Sequence, residues 1–353
     1  MPRYRLAVVL FAALGLLSLA VVGYWFWAAD ALDEGIARWR AEQAERGYEI
    51  VYQGPQMSGF PFALAVTFGE PRVTSPHGLT WRGPPVSGEA RLWDPFTIDL
   101  RFPGLHRLTL APDLAEDLAQ DLSRGAATPR AADILVDEAE GRVVLALDGQ
   151  VESARVELGA LKVTGDGLEP LTLDRLTARL GPLRSTGGNG LEELDLIAEA
   201  LALRLPEGRG GPLGDSVARL SFDSTVIGGI PRGKPAEALP LWRDAGGFWQ
   251  FRRLAANWGP LDLQAAGRLG LDQTLRPAGQ FDTKLKGAER IIDRLSEDGE
   301  IKPEAALAAR LAVAALGRRE ANSNATVLEA PITLRDGLLY LGPVPLLPIA
   351  PVL

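Results

Sequence analysis

Beyond residue 47, apolar and polar side chains alternate with a two-residue period in short segments that Gly- and Pro-containing stretches separate. The clearest segment runs from Phe96 to Phe102, in which every second residue is apolar and the three residues between them are polar. This period is typical of a β-strand with one buried face and one wet face. The pattern therefore predicts a sheet that is apolar on one side.

Strand candidates recur at intervals of about ten residues, and helix candidates are few. Successive strands with short connections and few crossover helices favour an antiparallel arrangement. We expect a mainly β chain, with a long curved antiparallel meander or barrel-like sheet and a few short helices. The strand candidates are 62–68, 96–102, 143–147, 151–163, 171–180, 194–205 and 217–226, with a further strand from Tyr48 that ends in a turn at Gly54-Pro55, and the helix candidates are 113–122, 235–244, 285–295 and 303–316.

An uncharged run from Leu6 to Ala29 precedes this pattern and ends in a cluster of aromatic residues. At about 1.5 Å per helical residue it would cover roughly 36 Å, enough to cross a bilayer. Arginines before the run and acids after it favour a cytoplasmic N-terminus, with the rest of the chain exported. We predict a single-pass transmembrane helix whose anchor residues are Arg3, Arg5, Leu6, Tyr24, Trp25 and Trp27.

A cleaved secretory signal is the alternative interpretation, because Ala29-Asp30-Ala31 resembles a cleavage site of small residues. The apolar part of such a signal usually spans about 7 to 15 residues. The run here is longer and closes on large aromatic rings, which favours a retained anchor. Either interpretation exports the remainder of the chain.

Composition shifts divide the chain further. Residues 1–29 are predicted as a cytoplasmic stub and membrane anchor, and residues 30–47 as an amphipathic helix that either forms a stalk or folds onto the domain. A stretch rich in Gly and Pro at 206–216 is predicted as a linker or loop. It separates a first β-rich half, 48–205, from a second β-rich half with helices, 217–353.

The absence of cysteine excludes disulfides, thiolate nucleophiles and sulfur-ligated metal sites. The formal net charge is −8, and no cluster of Lys and Arg stands out that could follow a phosphate backbone. We therefore expect no nucleic-acid partner.

Motifs for catalysis or cofactor binding are also missing. The two histidines, His77 and His106, have no metal-ligand spacing, and a surface turn position is the preferred interpretation of each. Residues 228–234 spell Gly-x-x-x-x-Gly-Lys, but Pro235 follows where a phosphate-binding loop needs a hydroxyl. We assign no catalytic, cofactor-binding or metal-binding residue, and we do not expect an enzyme.

Aromatic residues concentrate around Gly246-Gly247, at Trp242, Phe248, Trp249 and Phe251. Core aromatics beneath a connection from helix to strand are the preferred interpretation, and a ligand platform is the alternative. The apolar tail 341–353 carries four prolines, which predicts an extended edge or lid instead of a regular helix.

Short motifs in a fixed order connect the chain to a known group of proteins. Ser58-Gly59-Phe60-Pro61-Phe62 begins the series, Trp81-Arg82-Gly83-Pro84-Pro85 follows, and Asp336-Gly337-Leu338-Leu339-Tyr340-Leu341-Gly342-Pro343 closes it. In these motifs and their order the chain resembles the bacterial envelope proteins grouped as domain of unknown function 2125. More distantly, it is similar to AsmA-like proteins, which are associated with moving lipids between bacterial membranes along an apolar groove.

The resemblance implies an envelope location and a β-rich fold, and it names no active site. It adds to the physical argument that an apolar sheet face must be covered, closed on itself, or occupied by something apolar. We expect a protein of the bacterial inner membrane that handles lipid or another amphiphile for envelope maintenance. A scaffold that docks a periplasmic protein is the alternative, and a membrane-surface hydrolase is the weakest hypothesis. The candidate groove lining is Phe62, Leu64, Val66, Phe68, Phe96, Ile98, Leu100 and Phe102.

Overall fold

The computed structural model describes residues 2–112, 130–166, 168–185, 192–229, 231, 235–299, 301–319 and 326–352. Side chains are described from residue 21 onward, except at positions 168, 185, 235, 305, 308, 312, 315, 316, 319 and 346. The chain divides into two compact units. The first unit comprises Met1–Val151 and Gly165–Leu168, and the second comprises Glu152–Thr164 and Glu169–Leu353. The helix predicted at 113–122 lies outside the described residues.

An N-terminal helix is present, α1 (Pro2–Glu45), and it runs without a break through the boundary at residues 29 and 30 that the sequence suggests. Its second part packs on the first unit, where Leu32 and Ile36 are half-buried and Ala29 is buried. Among the described residues, no helix is both long enough and apolar enough to cross a membrane.

The first unit is an antiparallel meander in which two long strands are each broken by proline-containing segments. β3 and β4 pair in succession along β2, and β5 and β6 continue one another in the same way. The breaks coincide with Pro84-Pro85 and Pro103, since proline cannot donate a ladder hydrogen bond. The strands are β1 (Glu49–Ser58), β2 (Ala63–Thr74), β3 (Leu79–Arg82), β4 (Val86–Arg91), β5 (Asp94–Arg101), β6 (Gly104–Leu110) and β7 (Ala131–Leu145).

The second unit is also a meander, built from consecutive antiparallel neighbours. The strands β9 to β14 pair in chain order, β14 pairs with β16, and β16 pairs with β15 and β17. The mainly β, antiparallel prediction is confirmed. The strands are β8 (Val151–Gly165), β9 (Leu168–Ser185), β10 (Glu192–Arg204), β11 (Ser216–Ile227), β12 (Phe248–Trp258), β13 (Leu261–Leu271), β14 (Pro277–Lys286), β15 (Gly317–Arg319), β16 (Thr326–Arg335), β17 (Leu338–Leu341) and β18 (Val344–Pro348).

Three described helices belong to the second unit: α2 (Pro235–Asp244), α3 (Ala288–Glu297) and α4 (Pro303–Leu316). α2 and α4 have the bounds that the sequence predicts. α3 and α4 contact each other and cover one end of the meander. The buried cluster formed there is Ala288, Ile292, Ala306, Ala309, Val313, Leu328, Ala330 and Leu341.

Two local predictions are wrong. Gly54-Pro55 is not a turn, because β1 continues through it with an irregular register against β2. An edge strand tolerates proline, since its outward amide has no ladder partner to lose. The helix predicted from Leu285 is also misplaced, because Leu285 and Lys286 end β14 and the helix begins only after Gly287, which has a positive φ of 83°.

The Gly- and Pro-rich stretch at 206–216 connects β10 to β11 within the second unit and contains a short 3₁₀ turn, Gly211–Leu213. The Asp215 carboxylate accepts hydrogen bonds from the backbone amides of Gly208 (2.8 Å) and Gly210 (2.7 Å). Trp258 closes the loop by donating its indole N–H to the carbonyl of Gly214 (2.6 Å). These bonds make the stretch an ordered connection.

Candidate functional site on the apolar sheet faces

The two apolar stripes predicted for the first unit lie on one side of its sheet. Strand pairing aligns Val66 of β2, Gly88 of β4 and Leu100 of β5 in a single row. Because directly paired residues point to the same side of a sheet, the stripes of β2 and β5 share that side. Leu64 and Phe68 on β2 and Ile98 on β5 follow at two-residue spacing, and all of these side chains are half-buried.

Gly88 brings the two stripes together. A Cβ atom placed on it would lie 3.3 Å from Cδ2 of Leu100, 3.7 Å from Cγ2 of Ile98 and 3.8 Å from Cγ1 of Val66. The apolar side chains of the outer strands therefore converge above bare backbone of β4. We call this surface the first apolar face.

The remaining candidate lining residues lie at its margins. Phe62 precedes β2 and Phe96 is the third residue of β5, and both rings are exposed at one end of the strands. Phe102 follows β5 at the strand break, where its ring meets that of His106 edge to face at 6.0 Å. Tyr52 of the edge strand packs on Phe68, and Arg40 of α1 lies over the Tyr52 ring.

A longer apolar surface crosses the second unit, and we call it the second apolar face. Three rows of paired residues continue without interruption from β9 through β14 to β16. Six strand spacings of about 4.8 Å make each row roughly 29 Å long. The rows are Leu176-Ala200-Leu220-Ala256-Leu263-Leu285-Leu328, Ala178-Ala198-Phe222-Leu254-Ala265-Thr283-Ala330 and Leu180-Leu196-Ser224-Phe251-Gly267-Phe281-Ile332.

Burial changes along this face. The first two rows end on β16 at Leu328 and Ala330, and both side chains are buried beneath α3 and α4. On β9 and β10 the row members are half-buried, and no helix in the described part of the chain makes an extended contact with those strands. The face is therefore a filled core at one end and a partly open apolar surface at the other.

Aromatic rings occupy the middle of the second apolar face. The rings of Trp249 and Phe251 lie 4.7 Å apart, and that of Phe222 meets Trp249 edge to face at 6.0 Å. Phe281 reaches Phe251 at 5.7 Å across Gly267. Trp242 of α2 is separate from this group and is buried, with its indole N–H shared between the carbonyls of Ile227 (3.1 Å) and Gly228 (3.0 Å).

The opposite, polar side of β9 to β12 carries a network of charges centred on Asp195. Its carboxylate accepts hydrogen bonds from Thr225 (2.7 Å) and Arg252 (3.0 Å) and forms an ion pair with Arg184. Burial raises the pKa of this carboxyl, but the bonds from Thr225 and Arg252 and the Arg184 charge hold the pKa below its ordinary value. The network stabilises the polar side and holds Asp195 ionised.

The substitution Asp195→Asn is expected to lower the free energy of unfolding by roughly 1–2 kcal/mol at pH 7, because two arginines lose their carboxylate. A carboxyl whose pKa is lower in the folded state contributes stability above its unfolded pKa and loses it as the pH falls through the folded pKa. The deficit of the variant should therefore be complete at pH 7 and shrink as the pH falls below about 4.

Urea unfolding at a series of pH values measures this effect. Asp174→Asn, at an exposed position on β9, is the matched control and should leave the unfolding curve unchanged. A deficit for Asp195→Asn that stayed constant down to pH 2 would contradict the assigned role.

The two histidines differ in setting. His77 lies exposed in the turn between β2 and β3, as predicted. His106 is buried on β6, so the prediction of a surface turn is wrong for it. Trp81 donates its indole N–H to Nδ1 (3.3 Å), which leaves the hydrogen on Nε2 to be donated to the carbonyl of Phe102 (2.9 Å). Both ring nitrogens of His106 are therefore used structurally.

A polar depression of about 470 Å³ in the first unit is lined by several titratable side chains, which acid–base chemistry would require. Its lining includes Arg107 and Asp133, which form a two-pronged ion pair at 2.6 Å. The hydrogen bond from Arg107 lowers the pKa of Asp133, so this carboxyl is held as the anion and is a poor proton donor. Within the described ranges, no three His, Cys, Asp or Glu side chains are grouped to hold a metal ion. Part of the 228–234 motif lies outside those ranges.

The predicted anchor residues have different settings. The side chains of Arg3, Arg5 and Leu6 lie outside the described part of the structure. Tyr24 and Trp27 are exposed on α1. Trp25 is only 8% exposed and donates its indole N–H to the carbonyl of Ala63 (2.7 Å), so it joins α1 to the first unit.

Sequence reasoning missed the glycines of the apolar faces and the buried role of His106. Alternation identifies which residues of one strand share a side, but it does not say which residue of another strand lies opposite. Only the strand pairing shows that Gly88 and Gly267 lie between apolar side chains of the neighbouring strands. The burial of His106 could not be inferred locally, because its ring partner Trp81 comes from a different strand.

Comparison with known proteins identifies the family. The model of a bacterial family described as an uncharacterized protein conserved in bacteria, domain of unknown function 2125, matches residues 25–350. Comparisons with curated proteins and with solved structures give no significant match. The chain belongs to this family, and the resemblance read from its short motifs is confirmed.

Proposed function

We propose that this member of an uncharacterised bacterial family handles lipid or another amphiphile on its apolar sheet faces, as a protein anchored in the inner membrane with its bulk in the periplasm. The observation that carries the proposal is the set of three continuous rows on the second apolar face, which are apolar except for the buried Ser224 and Thr283 and are half-buried on β9 and β10. Apolar surface that is only half-buried costs free energy in water unless something covers it.

The shape of these rows suits an acyl chain. From β9 to β13 the first row alternates between leucine and alanine, so small side chains leave depressions between larger ones. The rows are roughly 29 Å long, and their partly open part lies on β9 and β10, because α3 and α4 fill the β16 end. The rows carry no charged side chain that would have to be desolvated. The charge network of β9 to β12 lies on the other side, around Asp195. The surface therefore separates an apolar ligand from the polar network.

A matched pair of substitutions on β10 tests the proposal. Leu196 lies in the third row, and its neighbour Ile197 is exposed on the opposite side of the same strand. Leu196→Gln should reduce bound lipid about tenfold, because an amide without a partner beside an acyl chain costs about 1–3 kcal/mol. Ile197→Gln introduces the same side chain and should leave lipid binding unchanged.

Native mass spectrometry and lipid extraction of the purified full-length protein supply the measurement. Thermal melts show whether each variant is folded, and Leu220→Gln repeats the test at a second half-buried row position. Equal lipid content in all variants, or a wild-type protein that carries no lipid and takes none up, would refute the proposal. A stoichiometric protein partner captured by such a lipid-free protein would favour the scaffold alternative.

A further inference from the structure

The first unit has a concentration of exposed aromatic rings at one end. The described side chains include nine exposed aromatic residues, and seven of them lie at this end. We call these seven residues, together with Leu147, the aromatic end. They are Tyr24, Phe26 and Trp27 of α1, Phe60 and Phe62 before β2, and Trp93 and Phe96 around the turn between β4 and β5.

Strand pairing shows that these segments belong to the same end. Ala63 at the start of β2 pairs with Arg91 at the end of β4, and Leu92 donates its backbone N–H to the carbonyl of Phe62 (3.1 Å). β7 ends at the same level, because Val144 pairs with Thr97 near the start of β5. The turn that follows β7 therefore adds Leu147, which is 89% exposed.

α1 is attached to this end by specific contacts. Besides the bond from Trp25 to Ala63, the Trp25 and Phe60 rings meet edge to face at 5.5 Å, and the Phe26 and Phe60 rings lie 6.4 Å apart. The helix and the strand tips are thus held at one level. Residues 6–23, which precede the cluster on the same helix, carry no charge.

We propose that the aromatic end is a membrane-docking surface, by which the strand tips of the first unit insert into the interfacial layer of the bilayer that holds the start of α1. Trp, Tyr and Phe are the side chains that favour this layer. The charges beside the cluster, Arg91 and Asp94, can remain among lipid headgroups while the rings of Phe62 and Trp93 reach deeper. A lipid surface accounts for both the composition of the end and the uncharged helix that leads to it.

This proposal rests on the membrane anchoring in the proposed function, and its consequence is an upright orientation of the first unit. The turn between β2 and β3, with the exposed His77, lies at the opposite end of β2. Eleven residue steps of about 3.3 Å place it roughly 35 Å from the strand tips. A docked aromatic end would bring the tips to the lipid and leave His77 in water.

Single cysteines test this orientation cleanly, because the chain contains none. Phe62→Cys and Trp93→Cys replace rings that are 65% and 69% exposed, so neither change removes a buried contact. Leu147→Cys is a third tip position, and His77→Cys is the control at the opposite end. Each full-length variant is labelled with a polarity-sensitive fluorophore and reconstituted into vesicles of phosphatidylethanolamine and phosphatidylglycerol.

The readout is quenching by a nitroxide on the lipid acyl chain. Labels at the three tips should be quenched at least about threefold more strongly than the label at His77→Cys, since interfacial side chains lie within 5–10 Å of the acyl boundary. Equal quenching at both ends would overturn the docking surface. Self-quenching that rises with protein concentration, without quenching by lipid, would overturn it in favour of a second copy of the chain.

Flotation of the same samples separates this inference from the proposed function. Vesicles that float with the protein but leave the tip labels unquenched would refute the docking surface alone. A full-length protein that fails to float would refute both the anchor and the docking surface. Quenched tips in a protein that carries no bound lipid would support the docking surface and refute the lipid-handling proposal.

Discussion

The substitution Gly267→Ala is expected to lower the free energy of unfolding by about 3 kcal/mol. Gly267 lies on β13 between Phe251 and Phe281, and a Cβ atom there would overlap the carbonyl oxygen of Gln280 and approach Cα of Phe281 to 2.7 Å. Both neighbours are backbone atoms, so no side-chain rotation relieves the overlap. The pairing of β13 with β14 would have to shift, and the aromatic contact across the second apolar face would be lost with it.

Gly270→Ala is the matched control on the same strand. The nearest neighbour of a Cβ atom at this position is the carbonyl oxygen of Ala278, at 3.8 Å, an ordinary contact. Alanine narrows the unfolded ensemble, so this change should raise the free energy of unfolding by up to about 1 kcal/mol. Urea unfolding followed by far-ultraviolet circular dichroism measures both variants. Equal urea midpoints for Gly267→Ala and Gly270→Ala would contradict the close packing assigned to Gly267.

The substitution Trp242→Phe is expected to lower the free energy of unfolding by about 2–3 kcal/mol. The buried indole N–H of Trp242 is shared between the carbonyls of Ile227 and Gly228. Phenylalanine would leave these acceptors without their donor and would leave part of the space above Gly247 unfilled. α2 would lose its principal attachment to the end of β11.

Trp249→Phe makes the same chemical change where the indole N–H has no role. The Nε1 atom of Trp249 is buried and has no hydrogen-bond partner among the described residues. Removing an unsatisfied donor offsets the loss of ring volume, so the free energy of unfolding of this variant should stay within about 1 kcal/mol of the wild-type value. Equal losses in the two variants, measured by the same unfolding experiment, would show that ring volume and not hydrogen bonding decides the stability at both positions.

Periodicity within one segment was enough to predict many elements. The alternation from Phe96 to Phe102 corresponds to β5 and the residue that follows it, and the helices at 235–244 and 303–316 have the predicted bounds. Such elements follow from neighbouring residues alone, because the period of apolar side chains and the position of proline are local properties. The side of β2 and of β5 that is apolar could be assigned in the same way.

Features that depend on a partner strand could not be predicted. Gly54-Pro55 looks like a turn, yet β2 continues to pair on both sides of it. His106 looks like a surface residue, yet Trp81 of the paired strand β3 stacks on its ring and donates a hydrogen bond to Nδ1. The aromatic end collects residues from α1, from the connections β1–β2 and β4–β5, and from the turn after β7, and these segments are up to 123 positions apart, from Tyr24 to Leu147. No sequence window contains them together.

The sequence by itself determined that this chain is a mainly β, antiparallel meander of one bacterial family, because strand period, turn residues and family motifs are properties of residues close together in the sequence. Only the tertiary structure decided that Val66 and Leu100 meet above Gly88, that the second apolar face is filled beneath α3 and α4 and half-buried on β10, and that the exposed rings gather at one end. The physical reason is register, since hydrogen bonding between strands sets which distant side chains share a surface.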